Sequence, residues 1–131
     1  MFILDTNVVS ELRKAKTGKS NASVTAWAAV QDPSTLFLSA ITLLELEMGV
    51  RQMERRDRTQ GLILRVWLTD RVLVAFEGRV LPVDGPVALC CAGLHVPDPR
   101  SDRDALIAAT GITHAMSIVT RNVVDFEPTG V

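Results

Sequence analysis

The stretch Phe2-Ile3-Leu4-Asp5-Thr6-Asn7-Val8-Val9-Ser10-Glu11-Leu12-Arg13-Lys14 sets three apolar residues before an acid, then a helical recurrence through Val8, Val9 and Leu12. Three apolar residues in a row fit a short buried strand, and the recurrence that follows fits a helix. Asp5 falls on the turn between them. Two readings of its carboxylate stay open at this point. It can cap the helix starting near Thr6, a role worth about 1 kcal/mol, or it can be placed there for chemistry.

The rest of the chain repeats the alternation. Residues 14–23 have loop chemistry around Gly18, and Val24, Trp27 and Val30 then recur at helical spacing. Asp32-Pro33-Ser34 marks a turn before a strand at 36–38, after which Ser39 can cap a helix. In residues 40–54 apolar side chains fill most of the helical circumference, which predicts burial on more than one side. The charges of 51–58 alternate in sign and suit a solvated helix end or junction better than an RNA patch.

Residues 62–76 read as a second long amphipathic helix. Residues 80–83 form a short strand candidate containing Pro82, and Asp84-Gly85-Pro86 starts a helix to about Leu94. A loop at 95–101, a helix at 102–114, a strand at 117–120 and a short tail complete the pattern. No repeat or linker divides it, so residues 1–131 are expected to form a single domain. Strands alternating with helices predict an α/β fold, a three-layer sandwich with a mainly parallel sheet covered on both faces. In such sheets ligands bind beyond the carboxyl ends of the strands, which directs attention to the residues after Leu4, Leu38 and Thr120.

Composition narrows the classes. The chain is 47% hydrophobic, which suits a compact core rather than disorder. It balances 14 basic against 15 acidic residues, so any polyanion site must be local. Tyr is absent and aromatics are few, which argues against base-stacking platforms. The two cysteines, Cys90 and Cys91, are adjacent, which excludes an ordinary disulfide framework and predicts two buried thiols on a helix. No stretch is long and apolar enough to span a membrane, and a cytoplasmic protein without membrane attachment is expected.

Several acids stand at strand exits and helix starts. Glu45 sits among Leu43, Leu44 and Leu46, where a charge is costly unless paired or bound to metal. It shares a helical stripe with Ile41, Met48 and Gly49, and Gly49 would let a ligand approach. Glu47 shares its stripe with Arg51 and Glu54, which suits solvent or an i,i+4 ion pair. Asp102 and Asp104 open the helix at 102, where Ser101 and Asp104 resemble a capping box and both acids suit the helix dipole. Asn122 and Asp125 follow the last strand, as turn or cap residues or as part of a site beside Asp5. Converging acids need a divalent cation, and carboxylates with phosphate oxygens are the ligands Mg²⁺ prefers. His95 and His114 lie apart and offer no zinc pattern.

The motifs "ILDTNVVSEL", "SAITLLELEMG" and "DALIAATGITHAMSIVTRNVVDF", in that order and over essentially the whole chain, resemble the signatures of PIN-domain ribonucleases, especially the VapC-like toxins of type II toxin-antitoxin modules. The resemblance implies a PIN-like nuclease domain and a Mg²⁺-dependent endoribonuclease, with Mn²⁺ as a substitute, leaving a 5′-phosphate and a 3′-hydroxyl. It matches Asp5, Glu45 and Asp104 to the family's metal-binding acids. Asn122 occupies a place where many relatives carry Asp, and Asp125 is the nearest charged substitute for metal contact. Thr6, Asn7 and Thr120 are implied as residues that orient the acids.

Arg13, Lys14, Arg100, Arg103 and Arg121 flank these motifs as candidates for phosphate contact, each with a plain surface role as its alternative. The implied partners are an RNA substrate, a small cognate antitoxin and a second copy of the chain, in a homodimer or a larger assembly. Two further readings stay open. One is a catalytically weak PIN-fold module that binds RNA or protein. The other is a receiver-like domain, which the glutamate inside the apolar helix fits poorly.

Overall fold

The computed structural model describes residues 1–14 and 18–131. Residues 15–17 of the expected loop at 14–23 lie outside that range. Strand β1 (Phe2–Leu4) leads into helix α1 (Thr6–Arg13), followed by α2 (Ala22–Ala29), β2 (Leu36–Ser39), α3 (Ala40–Arg56) and α4 (Arg58–Trp67). A π-helical turn (Leu68–Val72) and a single turn α5 (Leu73–Ala75) continue α4. Then come β3 (Val80–Leu81), α6 (Gly85–Leu94), α7 (Asp102–Thr113), β4 (Ser117–Val119) and the short α8 (Val123–Phe126).

The strands form one sheet in the order β3-β2-β1-β4, with every pair parallel. Alternation along each strand divides the core into two layers. Leu4, Leu36 and Leu38 face one side and pack with Val8, Val9, Leu46, Val50, Leu68 and Val72. Ile3 faces the other side with Ile107, Ala108 and Phe126, and Phe37 and Ile118 join it there. Helices therefore cover both faces, and the three-layer α/β expectation holds. Beneath α6, a smaller cluster of Val87, Cys91, Ala105 and Ala109 fastens that helix to α7.

Local chemistry explains most boundaries. Ser39 accepts a bond from the Ile41 N–H, Asp57 from Gln60 and Asp84 from Val87, each satisfying an orphan donor at a helix start. The charged tract at 51–58 proves to be the junction between α3 and α4. Gly61 is buried there because a Cβ would come 2.4 Å from the Glu54 backbone, so only glycine lets the two helices approach this closely.

Four expectations need correction. The helix predicted from residue 62 begins at Arg58 and is interrupted by the π turn, whose extra residue per turn changes the helical phase. Leu68 and Val72 consequently point inward while Leu73 and Val74 point out. Helix α3 meets both core layers, Ile41 one and Leu43, Leu46 and Val50 the other, so burial on more than one side holds, but Leu44 and Met48, counted among its apolar positions, remain exposed in the single chain. Cys91 is buried but Cys90 only half-buried, because the core reaches one side of α6. Ser101 forms no side-chain capping bond to α7, so the capping box is not made. Among the described residues, no helix is long and apolar enough to cross a membrane.

Candidate active site

The carboxyl edge of the sheet carries an open cleft of about 280 Å³ lined by Asp5, Thr6, Asn7, Glu45, Asp104 and Asn122. Asp5 reaches it from the end of β1, and its own N–H donates to the Val119 carbonyl of β4 at 2.9 Å. Glu45 comes from α3, Asp104 from the first turn of α7, and Asn122 from the segment leaving β4. Residues 117 positions apart in sequence thus share one hollow because β1 and β4 are sheet neighbours. A larger hollow of about 430 Å³ at Glu54, Arg58, Thr59 and Leu62 lies at the α3–α4 junction, away from this acidic set.

The acids are held by specific donors. The Thr6 N–H donates to Asp5 Oδ1 at 2.8 Å, so Asp5 does cap α1, and the Thr120 hydroxyl donates to Oδ2 at 2.8 Å. The Thr120 oxygen in turn accepts from Asn7 Nδ2 at 3.4 Å and from the Asn122 N–H at 3.0 Å, which uses its full hydrogen-bonding capacity. The Thr6 hydroxyl donates to Glu45 Oε1 at 2.9 Å. One threonine therefore fixes both Asp5 and Glu45. Asp104 has its carboxyl pushed above the usual carboxylate range, first by burial and then by the negative charges of Asp5, Asp125 and Glu45, with Arg103 opposing the shift. Asp125 acts on Asp104 through charge but does not line the cleft, whereas Asn122 does.

Among the described residues, no three His, Cys, Asp or Glu side chains cluster closely enough to hold an ion unaided. Mg²⁺ does not require a full protein cage, because it keeps several waters and takes one or two carboxylates together with substrate phosphate oxygens. The donor set of Asp5, Glu45, Asp104 and the Asn122 amide consists of hard oxygens, and the mutual repulsion felt at Asp104 is what a divalent cation relieves.

A family model described as the PIN domain matches residues 2–127. The chain belongs to the PIN-domain family. Among PIN-domain relatives, it is 38% identical to the VapC ribonuclease Y4jK of Sinorhizobium fredii, over all of this chain and 94% of that protein. It is 33% identical to the toxin FitB of Neisseria gonorrhoeae, over 96% of this chain and 91% of the relative. The crystal structure of FitAcB from Neisseria gonorrhoeae superposes with a TM-score of 0.90 at 32% identity, covering all of this chain and 94% of that one.

Within this PIN domain the flanking cations divide. Arg103 Nη1 lies 3.6 Å from Glu45 Oε2. Arg13 packs over the Trp67 ring, 5.9 Å from its centroid, beside a second hollow of about 170 Å³ that shares Thr6 and Glu45 with the cleft. Arg100 turns away and donates through Nε to the Leu94 carbonyl at 2.8 Å. Arg121 Nη1 donates to Glu11 Oε2 at 3.0 Å, and Lys14 Nζ lies 3.7 Å from the same oxygen.

Glu11 is the residue that sequence reasoning passed over. It is buried, accepts the Asn21 N–H that opens α2, and anchors Arg121, whose own N–H donates to Asn7 Oδ1 at 3.1 Å. A signal was available in the spacing. Glu11 follows Val8 by three residues and so falls on the inward stripe of α1.

Proposed function

We propose that this chain is a divalent-metal-dependent endoribonuclease, with residues 1–131 as its nuclease domain, acting as the toxin of a type II toxin-antitoxin pair. The observation that carries the reading is the convergence of Asp5, Glu45, Asp104 and Asn122 on one open cleft at the carboxyl edge of a parallel sheet. The ribonuclease and toxin names of relatives covering nearly the whole chain support it.

Asp5, Glu45 and Asp104 would hold the ion through direct and water-mediated contacts, with Asp125 adding negative charge felt at Asp104. A bound Mg²⁺ or Mn²⁺ supplies a more acidic water and stabilises charge on the attacked phosphate. The protein supplies the positioning. Thr6 and Thr120 each occupy one side of a carboxylate by hydrogen bonding, so the remaining lone pairs keep a fixed direction. The Asn122 amide can donate to a phosphate oxygen or a water without adding a fourth negative charge near the RNA. No protein nucleophile is required, and the expected products carry a 5′-phosphate and a 3′-hydroxyl.

The partners fit the surface. Leu62, Ile63, Val66 and Val74 leave exposed apolar side chains along α4 and the turns after it, which supports burial against a small antitoxin or a second copy in a homodimer or larger assembly. A cytoplasmic location follows from an RNA substrate and an antitoxin made in the same compartment.

The deciding experiment compares RNA cleavage by wild type and Asp5→Asn in Mg²⁺, in Mn²⁺ and in EDTA. Cleavage is expected with either ion and lost on chelation and on substitution; cleavage that survives both refutes the mechanism. Asn122 in place of an acid favours one second reading, a PIN-fold binding module, for which RNA would bind in Mg²⁺ and stay intact.

A further inference from the structure

Of the cations flanking the acidic cleft, Arg103 differs in what it touches. Arg100 is spent on the end of α6, Arg121 on Glu11, and Arg13 on the Trp67 ring. Arg103 instead reaches from α7 across to α3, where Nη1 lies 3.6 Å from Glu45 Oε2 and 3.9 Å from Met48 Sδ. The separation from Glu45 is an ion-pair distance longer than a hydrogen bond. Its side chain is 49% exposed, so this is a loose contact at the mouth of the cleft.

The oxygen it faces is the informative part. Glu45 Oε1 is taken by the Thr6 hydroxyl, which leaves Oε2 as the atom turned to Arg103. Oε1 keeps a second lone pair, but Oε2, met at ion-pair rather than hydrogen-bond distance, is the less committed oxygen that Glu45 offers a divalent cation. A guanidinium at 3.6 Å is easily displaced by an ion that binds a carboxylate oxygen directly, and the freed guanidinium has a planar fork suited to phosphate. Arg103 also opposes the repulsion that the other acids exert on Asp104, so it neutralises part of the acid excess from its present position.

We propose that Arg103 is an exchangeable counter-charge, paired with Glu45 Oε2 in the free protein and transferred to an RNA phosphate when a divalent cation takes that oxygen. The proposal rests on the metal-dependent ribonuclease reading. It makes Arg103 both a competitor of the ion and a positioning residue for the substrate.

The test uses the full chain as wild type, Arg103→Gln and Arg103→Lys, with two readouts that do not depend on turnover. Mn²⁺ titrated into RNA-free protein and followed by electron paramagnetic resonance is expected to bind Arg103→Gln about two- to fivefold more tightly, as the loss of an exposed ion pair predicts. Arg103→Lys keeps the charge and should stay near wild type. Binding of a fluorescent mixed-sequence single-stranded RNA, measured in Ca²⁺ across a salt series, should lose about 0.7 from its log–log salt slope in Arg103→Gln and recover it in Arg103→Lys. Equal Mn²⁺ affinity in wild type and Arg103→Gln overturns the proposal, and so does an unchanged salt slope. Wild-type protein that binds Mn²⁺ but cleaves no RNA in Mg²⁺ counts against the ribonuclease reading alone, because the Mn²⁺ comparison still decides the exchange.

Discussion

Glu45 and Glu47 stand two residues apart on α3, and about 200° of helical rotation sends their carboxylates to opposite sides. Glu47 sits in a balanced set of two arginines and two glutamates. Arg65 donates to both its oxygens at 2.6 and 2.7 Å, Arg51 adds a bond at 2.9 Å, and Arg65 also holds Glu54. Hydrogen bonding from Arg65 holds the Glu47 carboxyl down at about 2. Glu45 meets a surplus of negative charge, with Asp5 and Asp104 lining the same cleft and one loosely placed arginine beside it. Matched charges fasten α3 to α4. Unmatched charges at the sheet edge do the opposite: they weaken the free fold locally and create a demand for a cation.

The sharpest way to break this comparison is to neutralise each glutamate in turn. Glu45→Gln is expected to lower metal-dependent RNA cleavage on the order of 10²-fold or more, the scale for removing a group that stabilises transition-state charge, while the thermal midpoint holds or rises. Glu47→Gln should do the reverse, keeping turnover and lowering the midpoint. Initial cleavage rates and thermal melts of the two variants check this together. Equal losses of activity would erase the distinction between the two sides of α3.

The same contrast shows what could be read from residues alone. Glu45 was legible because a charge among leucines demands a partner, and Glu47 because Arg51 lies one helical turn away. Asp5 was legible because a parallel sheet collects the residues at its strand exits, whereas Asp104, a helix-start acid that could equally have been a cap, was singled out by the family resemblance. Thr6 as the single donor to both Asp5 and Glu45 was not, since that bond joins residues 39 apart. Glu11 was missed for the same reason: Arg121, its partner, lies 110 residues away. Arg65 escaped notice because its bonds cross from one helix to another. The π turn left no mark because an apolar recurrence continues through it. Nor could apolar periodicity separate a core face from an exposed one, so Leu44 and Met48 read as buried.

A milder break targets the fastening side alone. Arg65→Met removes the cation shared by Glu47 and Glu54, and the thermal midpoint should fall by roughly a few degrees, with cleavage per folded molecule unchanged. The pH dependence follows from the depressed Glu47 carboxyl. A group that ionises more readily when folded contributes stability that is fully present above its ordinary value of 4.5 and is lost as pH falls toward about 2. Wild type should therefore lose this contribution on acidification, whereas Arg65→Met, having lost the cause of the depression, should show a flatter stability profile across that window. Parallel profiles for the two proteins would mean that Arg65 is not what sets the Glu47 carboxyl.

The smallest expected effect comes from the unmatched side and has the opposite sign. Asp104 has its carboxyl raised by burial and by Asp5, Asp125 and Glu45, so the folded chain holds that proton more tightly than the unfolded chain. Its ionisation then costs stability. The cost is absent below the ordinary value of 3.8, grows as pH rises from there, and is complete only above the raised value. In EDTA, Asp104→Asn should therefore melt slightly higher than wild type at neutral pH, and the gap should close on acidification below 3.8. Added Mg²⁺ should narrow the gap from the other direction, because it stabilises the protein that still has the acid to bind it. A variant that melts lower than wild type at neutral pH in EDTA would show that Asp104 contributes more to the α7 helix start than it suffers from its neighbours, and would place Asp104 with Glu47 among the acids that build the fold.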